Sequence, residues 1–218
     1  MNRMDSRIYR YVVRYDGGTA PRPFDGVCSL AICKPGIRRG ARPGDWVVGF
    51  RSCHPGEVLY VMHVEETLSL GDYWLDARFA NRKPDATDYP DNIYKYAFDG
   101  TLIQVPNDVH SRQDAARDID GRNVLLSRTF WYFGRKSARI PSGLQHLVHS
   151  GRGYSVHKSR RVGDVEHLKR WMADWKPGMY GEPIDVAEAG LVESLIDVPR
   201  LQVKGRRGES CKASRCGS

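Results

Sequence analysis

Three side chains of this sequence have the chemistry to move a proton beside a ligand: Asp16, Asp91 and His110. Each lies in a polar, turn-rich stretch. Histidine titrates in the physiological range, and a carboxylate can be tuned toward it by its surroundings. Ser111 follows His110, but neighbours on an extended chain point to opposite faces, so His110 is not expected to activate that hydroxyl. A second group suits an anionic, aromatic ligand. Lys34, Arg38, Arg39 and Arg42 put four cations within nine residues, and a helical turn over 37–41 would set Lys34 and Arg38 on one face. Pro21 and Pro23 stiffen a loop that presents Arg22 and Phe24, a guanidinium for a phosphate and a ring for a base. Asp91 is followed by Asn92 and Tyr94, and an Asx side chain can read the edge of a base. The stretch from Gly151 to Arg161 interleaves glycine, an aromatic and cations, with Arg152 and His157 as anion contacts. Cys28, Cys33, Cys53 and His54 form a poor tetrahedral set, and Cys28 and Cys33 read as core, so no metal is expected.

The elements that must hold these residues follow from pattern. Residues 8–15 read as a strand, and 46–50 with 57–67 as a long antiparallel hairpin around Ser52–Gly56. Residues 27–33 fit either a strand or a short helix. Ser69 suits the N-cap of a helix reaching Phe79. Strands are expected at 93–98, 101–105 and 124–133, the first two joined through Asp99-Gly100. Residues 107–123 read as a loop or short surface helix, and 141–149 as a short helix. The segment 151–161 reads as a linker if it binds nothing. An amphipathic helix is expected over 164–175, capped by Asp164, and a further one over 186–196. The fold class is α+β: a mostly antiparallel, twisted sheet or partly open barrel, with short helices around it and a C-terminal amphipathic helix. An extension over 1–7 precedes a single domain over 8–199. A basic tail over 200–218 has the composition of a disordered segment.

Composition narrows the function classes. Hydrophobic residues at 40% and charged residues at 28% exclude wholesale disorder. No apolar run approaches the roughly 20 residues of a membrane helix, and no hydrophobic leader follows the N-terminus, so a cytoplasmic location is expected. The tail has six basic residues and one acid, so it holds five of the eight net positive charges. It therefore offers salt-sensitive attraction to polyanions without specificity. Five cysteines, two of them in the tail, suggest reduced thiols and not a disulfide framework. Walker, Gly-x-Gly-x-x-Gly, His-Glu-x-x-His, Cys-x-x-Cys and Gly-x-Ser-x-Gly motifs are all missing, and no cofactor is expected.

Several blocks together carry a resemblance. They run from Arg14-Tyr15-Asp16-Gly17-Gly18 through Pro23, from Gly26 through Ala41, and over Gly44-Asp45-Trp46. Leu59–Leu68, Tyr73–Phe79, Asp91-Asn92-Ile93-Tyr94 and Val124–Ser127 continue them. The sequence over about 8–175 resembles the second of the nucleotide-modification-associated domain families of bacteria and phages. That resemblance implies an α+β domain linked to modification or recognition of DNA bases, with modification-system proteins as partners. A looser likeness to PUA-like and EVE-like modified-base-binding barrels implies a base pocket bordered by 21–42.

The residues and the resemblance together favour a domain that binds DNA or a nucleotide and holds a base in a pocket formed or bordered by Arg22, Phe24, Lys34, Arg38 and Trp46, with Arg14 as a further ligand contact. A small base-modifying enzyme using Asp16, Asp91, His110 or His157 is one alternative, and a protein-interaction module is another. Binder and enzyme both require Arg14, Asp16, Lys34, Arg38 and Asp91 to meet in one cleft. An exposed Arg38 there would make Arg38→Ala weaken nucleotide binding and leave stability almost unchanged.

Overall fold

The computed structural model describes residues 6–158 and 163–185. The expected helix over 186–196 and the basic tail lie outside the described residues. In chain order the elements are β1 (Arg7–Val13), β2 (Cys28–Leu30), α1 (Pro35–Gly40), β3 (Trp46–Arg51), β4 (Glu57–His63), β5 (Glu66–Ser69) and α2 (Leu70–Leu75). There follow β6 (Tyr94–Tyr96), β7 (Leu102–Gln104), α3 (Ala115–Asp120), β8 (Asn123–Ser127), β9 (Phe130–Tyr132), β10 (Ala138–Arg139), β11 (Tyr154–Lys158), α4 (Asp164–Met172) and β12 (Gly178–Met179). Short 3-10 turns cover Ala77–Arg82, Arg112–Asp114, Gly134–Lys136 and Ser142–Leu147.

The architecture is α+β with one mixed and two antiparallel sheets, and none closes into a barrel among the described residues. The main sheet runs β11-β1-β3-β4-β9-β12, with β10 beside β4; β1 and β3 are parallel, as are β9 and β12. A second sheet has the order β2-β8-β5, and β6 and β7 form a hairpin. Side chains alternate across β1 as strand geometry requires. Tyr9, Tyr11 and Val13 join a core with Cys28, Leu30 and Leu125 of the second sheet. Ile8 faces the other way, into a core with Trp46, Trp131, Leu144, Leu168 and Met172. A third core lies beyond the second sheet, where Ile32, Tyr73, Ile93 and Tyr94 meet Val124 and Leu126.

Five expectations differ from the structure in detail. The runs 57–67 and 124–133 are not single strands: the first passes from the main sheet (β4) to the second (β5), and the other passes from the second sheet (β8) to the main one (β9). The crossing points face each other: Glu65 accepts from Arg128 N (2.8 Å) and Thr129 Oγ1 (2.5 Å), and these bonds hold the corner. The helix after Ser69 stops at Leu75 and a 3-10 turn follows, although Ser69 caps it as expected and accepts from Asp72 N at 3.0 Å. The segment expected to be a linker contains β11, which pairs antiparallel with β1 from Arg7↔Lys158 to Tyr11↔Tyr154. At α4 the N-cap is Gly163, and Asp164 turns its carboxylate elsewhere. Cys28 and Cys33 are free thiols as expected, whereas Cys53 is disulfide-bonded.

Candidate active site

The five residues expected to share a cleft do not all meet: Asp16, Asp91 and Arg38 are buried in separate networks, while Arg14 lies near Lys34. Asp16 is buried, accepts from Tyr132 Oη (2.5 Å) and Ile184 N (3.2 Å), and is raised above the usual carboxylate range by that burial. Asp91 is fully buried, accepts from Ser29 Oγ and from Tyr73 Oη (3.0 Å), and burial raises it despite the Arg82 and Arg22 charges. Arg82 completes that network through Ser29 Oγ (2.7 Å) and the carbonyls of Phe24 (3.0 Å) and Val27 (2.8 Å). Both carboxylates hold the fold together and neither reaches solvent.

The expected base pocket is also structural. Arg22 donates to Tyr89 O (2.9 Å) and pairs with Asp25 at 2.9 Å, and Phe24 lies against the Tyr89 ring at 4.7 Å. Trp46 is buried between His63 (4.8 Å) and Trp131 (6.3 Å). Asn92 is buried and donates to Tyr73 O (3.0 Å) and Phe79 O (3.3 Å). Arg38 is 0% exposed. Its guanidinium donates to Cys33 O (2.7 Å), Asn123 O (3.0 Å) and Asp118 O (2.5 Å) and lies 3.8 Å from the Asp118 carboxylate. It fits there because residue 121 is glycine; a Cβ would run into the guanidinium.

A different trio converges. Beyond β2 the chain turns at Cys33 (φ +59°) and Lys34 (φ +40°), and Pro35 opens α1. Two successive non-glycine residues in the left-handed region cost of order 1–3 kcal/mol each and persist only when their surroundings impose them. Asp118 Oδ1 accepts from Cys33 N (2.8 Å) and Arg38 Nε donates to Cys33 O (2.7 Å), so both sides of the Cys33 peptide are held. Opposite, the Asn107 side chain accepts from His110 N (2.8 Å) and Gln104 donates to His110 O (3.1 Å). His110 Nε2 then lies 3.2 Å from Cys33 Sγ and its Nδ1 lies 2.5 Å from Asp118 Oδ2. Tyr94 Oη donates to the same carboxylate oxygen (3.0 Å). The order is thiol, imidazole, buried carboxylate, with the carboxylate setting the ring tautomer. That array makes a cysteine nucleophilic.

The electrostatics agree with the geometry. Burial opposes charge on His110, but its hydrogen bonds to Asp118 and Cys33 prevail and raise it to about 10. Burial also opposes charge on Asp118, and the imidazole and the Arg38 guanidinium hold it below the usual carboxylate range. Cys33 is half-buried, and His110 lines a cavity of about 280 Å³. Lys34 Nζ sits 4.5 Å from the centre of the Tyr11 ring; burial lowers it, as do the nearby charges of Arg14 and Arg117. Arg14 and Arg152 meet in a cavity of about 270 Å³ with Arg51, His54 and His149. His157 lies elsewhere, 2.6 Å from Asp164. A larger cavity of about 530 Å³ near Phe79 offers Arg78, but its guanidinium is committed to Glu66 (2.7 Å) and Asp76 (2.6 Å).

With the site described, comparison with known proteins adds one finding: the family described as nucleotide modification associated domain 2 matches residues 5–190. The chain belongs to that family. No curated protein and no solved structure matches it. No helix among the described residues of this nucleotide modification associated domain is long and apolar enough to cross a membrane.

The raised His110 and lowered Asp118 make a signed prediction for the domain. A histidine raised from 6.5 to about 10 on folding contributes stability that is complete below pH 6.5 and is lost as pH rises through 10. The Asp118 contribution is present above its usual titration range and is lost as pH falls below 3.8. Melting temperatures of wild type and His110→Gln should therefore differ most at about pH 5–6.5 and approach each other toward pH 10. A gap that widens above pH 7 would show that His110 is neutral in the folded domain.

Proposed function

We propose that this domain is an enzyme of nucleotide modification that works by covalent catalysis at Cys33. The observation that carries this reading is the Cys33–His110–Asp118 array on a strained turn. The reaction class is acyl substitution on a nucleotide or its base. Cys33 Sγ reacts as the thiolate partner of the His110 imidazolium, and the sulfur adds to the carbonyl carbon while the π pair moves to oxygen. Collapse expels an amine or alcohol, which takes a proton from His110 and leaves that ring neutral, with a thioester on Cys33. Water or an amine then attacks the thioester, His110 accepts its proton, and the thiolate leaves. Asp118 orients the imidazole throughout. Arg14, Lys34 and Arg152 supply charge for the nucleotide phosphates, and guanidinium groups suit that role by their fork of donors.

The basic cavity around Arg14 and Arg152 also suits a domain that binds nucleic acid without changing it. The two readings separate in cells. Nucleosides from cells lacking the gene are compared by mass spectrometry with those from cells carrying wild type or Cys33→Ala. Catalysis at Cys33 predicts that the variant reproduces the profile of the deletion. If Cys33→Ala restores the wild-type profile, the thiol has no catalytic part and the binding reading stands.

A further inference from the structure

Away from Cys33, three side chains from separate elements turn toward one point: His146 in the 3-10 turn Ser142–Leu147, His157 in β11 and Asp164 at the start of α4. Their ligand atoms all lie within 4.8 Å of one another. His146 Nε2 is 3.1 Å from Asp164 Oδ1, and His157 Nε2 is 2.6 Å from Asp164 Oδ2. Asp164 is 4% exposed, and Gly163 occupies the N-cap position in its place. Its carboxylate makes no capping bond and is turned instead to the two imidazoles.

The frame around the cluster is built. Val156 packs into the core between the two larger sheets, so alternation along β11 sends Ser155 and His157 to the opposite face, toward α4. Arg10 of β1 donates to His146 O (3.0 Å) and to Ser155 Oγ (3.2 Å), which ties together the two histidine-bearing segments. Ser155 Oγ also meets His149 Nδ1 at 3.2 Å.

We propose that His146, His157 and Asp164 form a binding site for a divalent first-row transition-metal ion. Two imidazoles and one carboxylate are the donor set for Zn²⁺, Fe²⁺ or Co²⁺, not for Mg²⁺ or Ca²⁺. Metal–ligand bonds of about 2.0–2.2 Å place cis or tetrahedral donors roughly 3.0–3.5 Å apart. The spacings here need only a small outward adjustment. Three protein ligands leave a coordination position for water or an anion, and His146, 40% exposed on its side chain, lies on the open side. The site is separate from the Cys33 array and does not rest on it.

The test is calorimetric titration of the full-length, untagged chain with Zn²⁺, and with Co²⁺ followed by visible absorption. The variants are His146→Ala, His157→Ala and Cys33→Ser. The expected result is a site whose affinity falls at least about 100-fold in each histidine variant, more than loss of an outer-shell partner usually costs. Cys33→Ser should keep it, and its Co²⁺ spectrum should lack sulfur-to-metal charge transfer. His146 is the most exposed of the three, so its variant keeps the test valid if His157→Ala misfolds. Equal stoichiometry and affinity in wild type and His146→Ala would overturn the proposal, as would no binding at millimolar metal. The cluster would then be an imidazole–carboxylate ion pair.

Discussion

Arg38→Ala is expected to cost about 3–5 kcal/mol of stability, the usual result of removing one partner from a buried ion pair. The loss has two parts. The guanidinium donates to the carbonyls of Cys33, Asn123 and Asp118, and all three lose that bond together, although Asp118 O keeps the Gly121 N–H. The Asp118 carboxylate also keeps its charge in a buried position with His110 as the remaining ionic partner. Because a domain of this size holds only about 5–15 kcal/mol in total, the variant should be largely unfolded or should show a much lower urea midpoint. Arg38→Lys retains the charge but cannot fork to three carbonyls, and its midpoint should fall between the two. If neither substitution moves the midpoint, the burial described for this side chain is wrong.

From sequence, Arg38 reads as an exposed phosphate contact, whereas the structure buries it. Spacing on a short helix says which residues share a face, not which face looks inward. With Lys34, Arg38, Arg39 and Arg42 so close together, composition alone suggested a solvated basic loop. The structure divides them. Arg38 is buried and Arg39 pairs with Asp120 at the surface, while Lys34 lies half-buried on the Tyr11 ring. What was legible rested on local rules. The Asp99-Gly100 turn, the Ser69 cap, the Trp46 strand and the α+β class are each written within a few residues. What was not legible depended on partners far along the chain. Nothing in the runs 57–67 or 124–133 shows where each changes sheet, because the same apolar alternation serves both sheets.

The same limit hid the site. His110 was singled out, but its partners are 77 residues back at Cys33 and eight residues on at Asp118. Apolar neighbours made Cys33 read as core. Asp118 sits among Asp114, Arg117 and Asp120 in a stretch that reads as surface, yet it is completely buried. A signal was present in the pairing of two residue types, cysteine before a proline-opened helical turn and histidine in an Asn-x-x-His loop. Sequence spacing does not say that they meet.

Native-state alkylation tests the activation of Cys33 most directly. The thiolate is the form that reacts, and an imidazolium hydrogen-bonded to sulfur favours it. Removing His110 should therefore slow reaction of Cys33 with iodoacetamide at least about tenfold, equivalent to ~1.4 kcal/mol of activation free energy. Cys28 is fully buried and serves as an internal control, since it reacts only if the fold opens. Rates at both thiols are followed by peptide mass spectrometry at neutral pH in wild type and His110→Ala. The expected result is rapid labelling of Cys33 in wild type, slow labelling in the variant, and protection of Cys28 in both. Equal Cys33 rates in the two proteins, with Cys28 still protected, would show that His110 does not activate the thiol and would contradict the assignment of Cys33 as nucleophile.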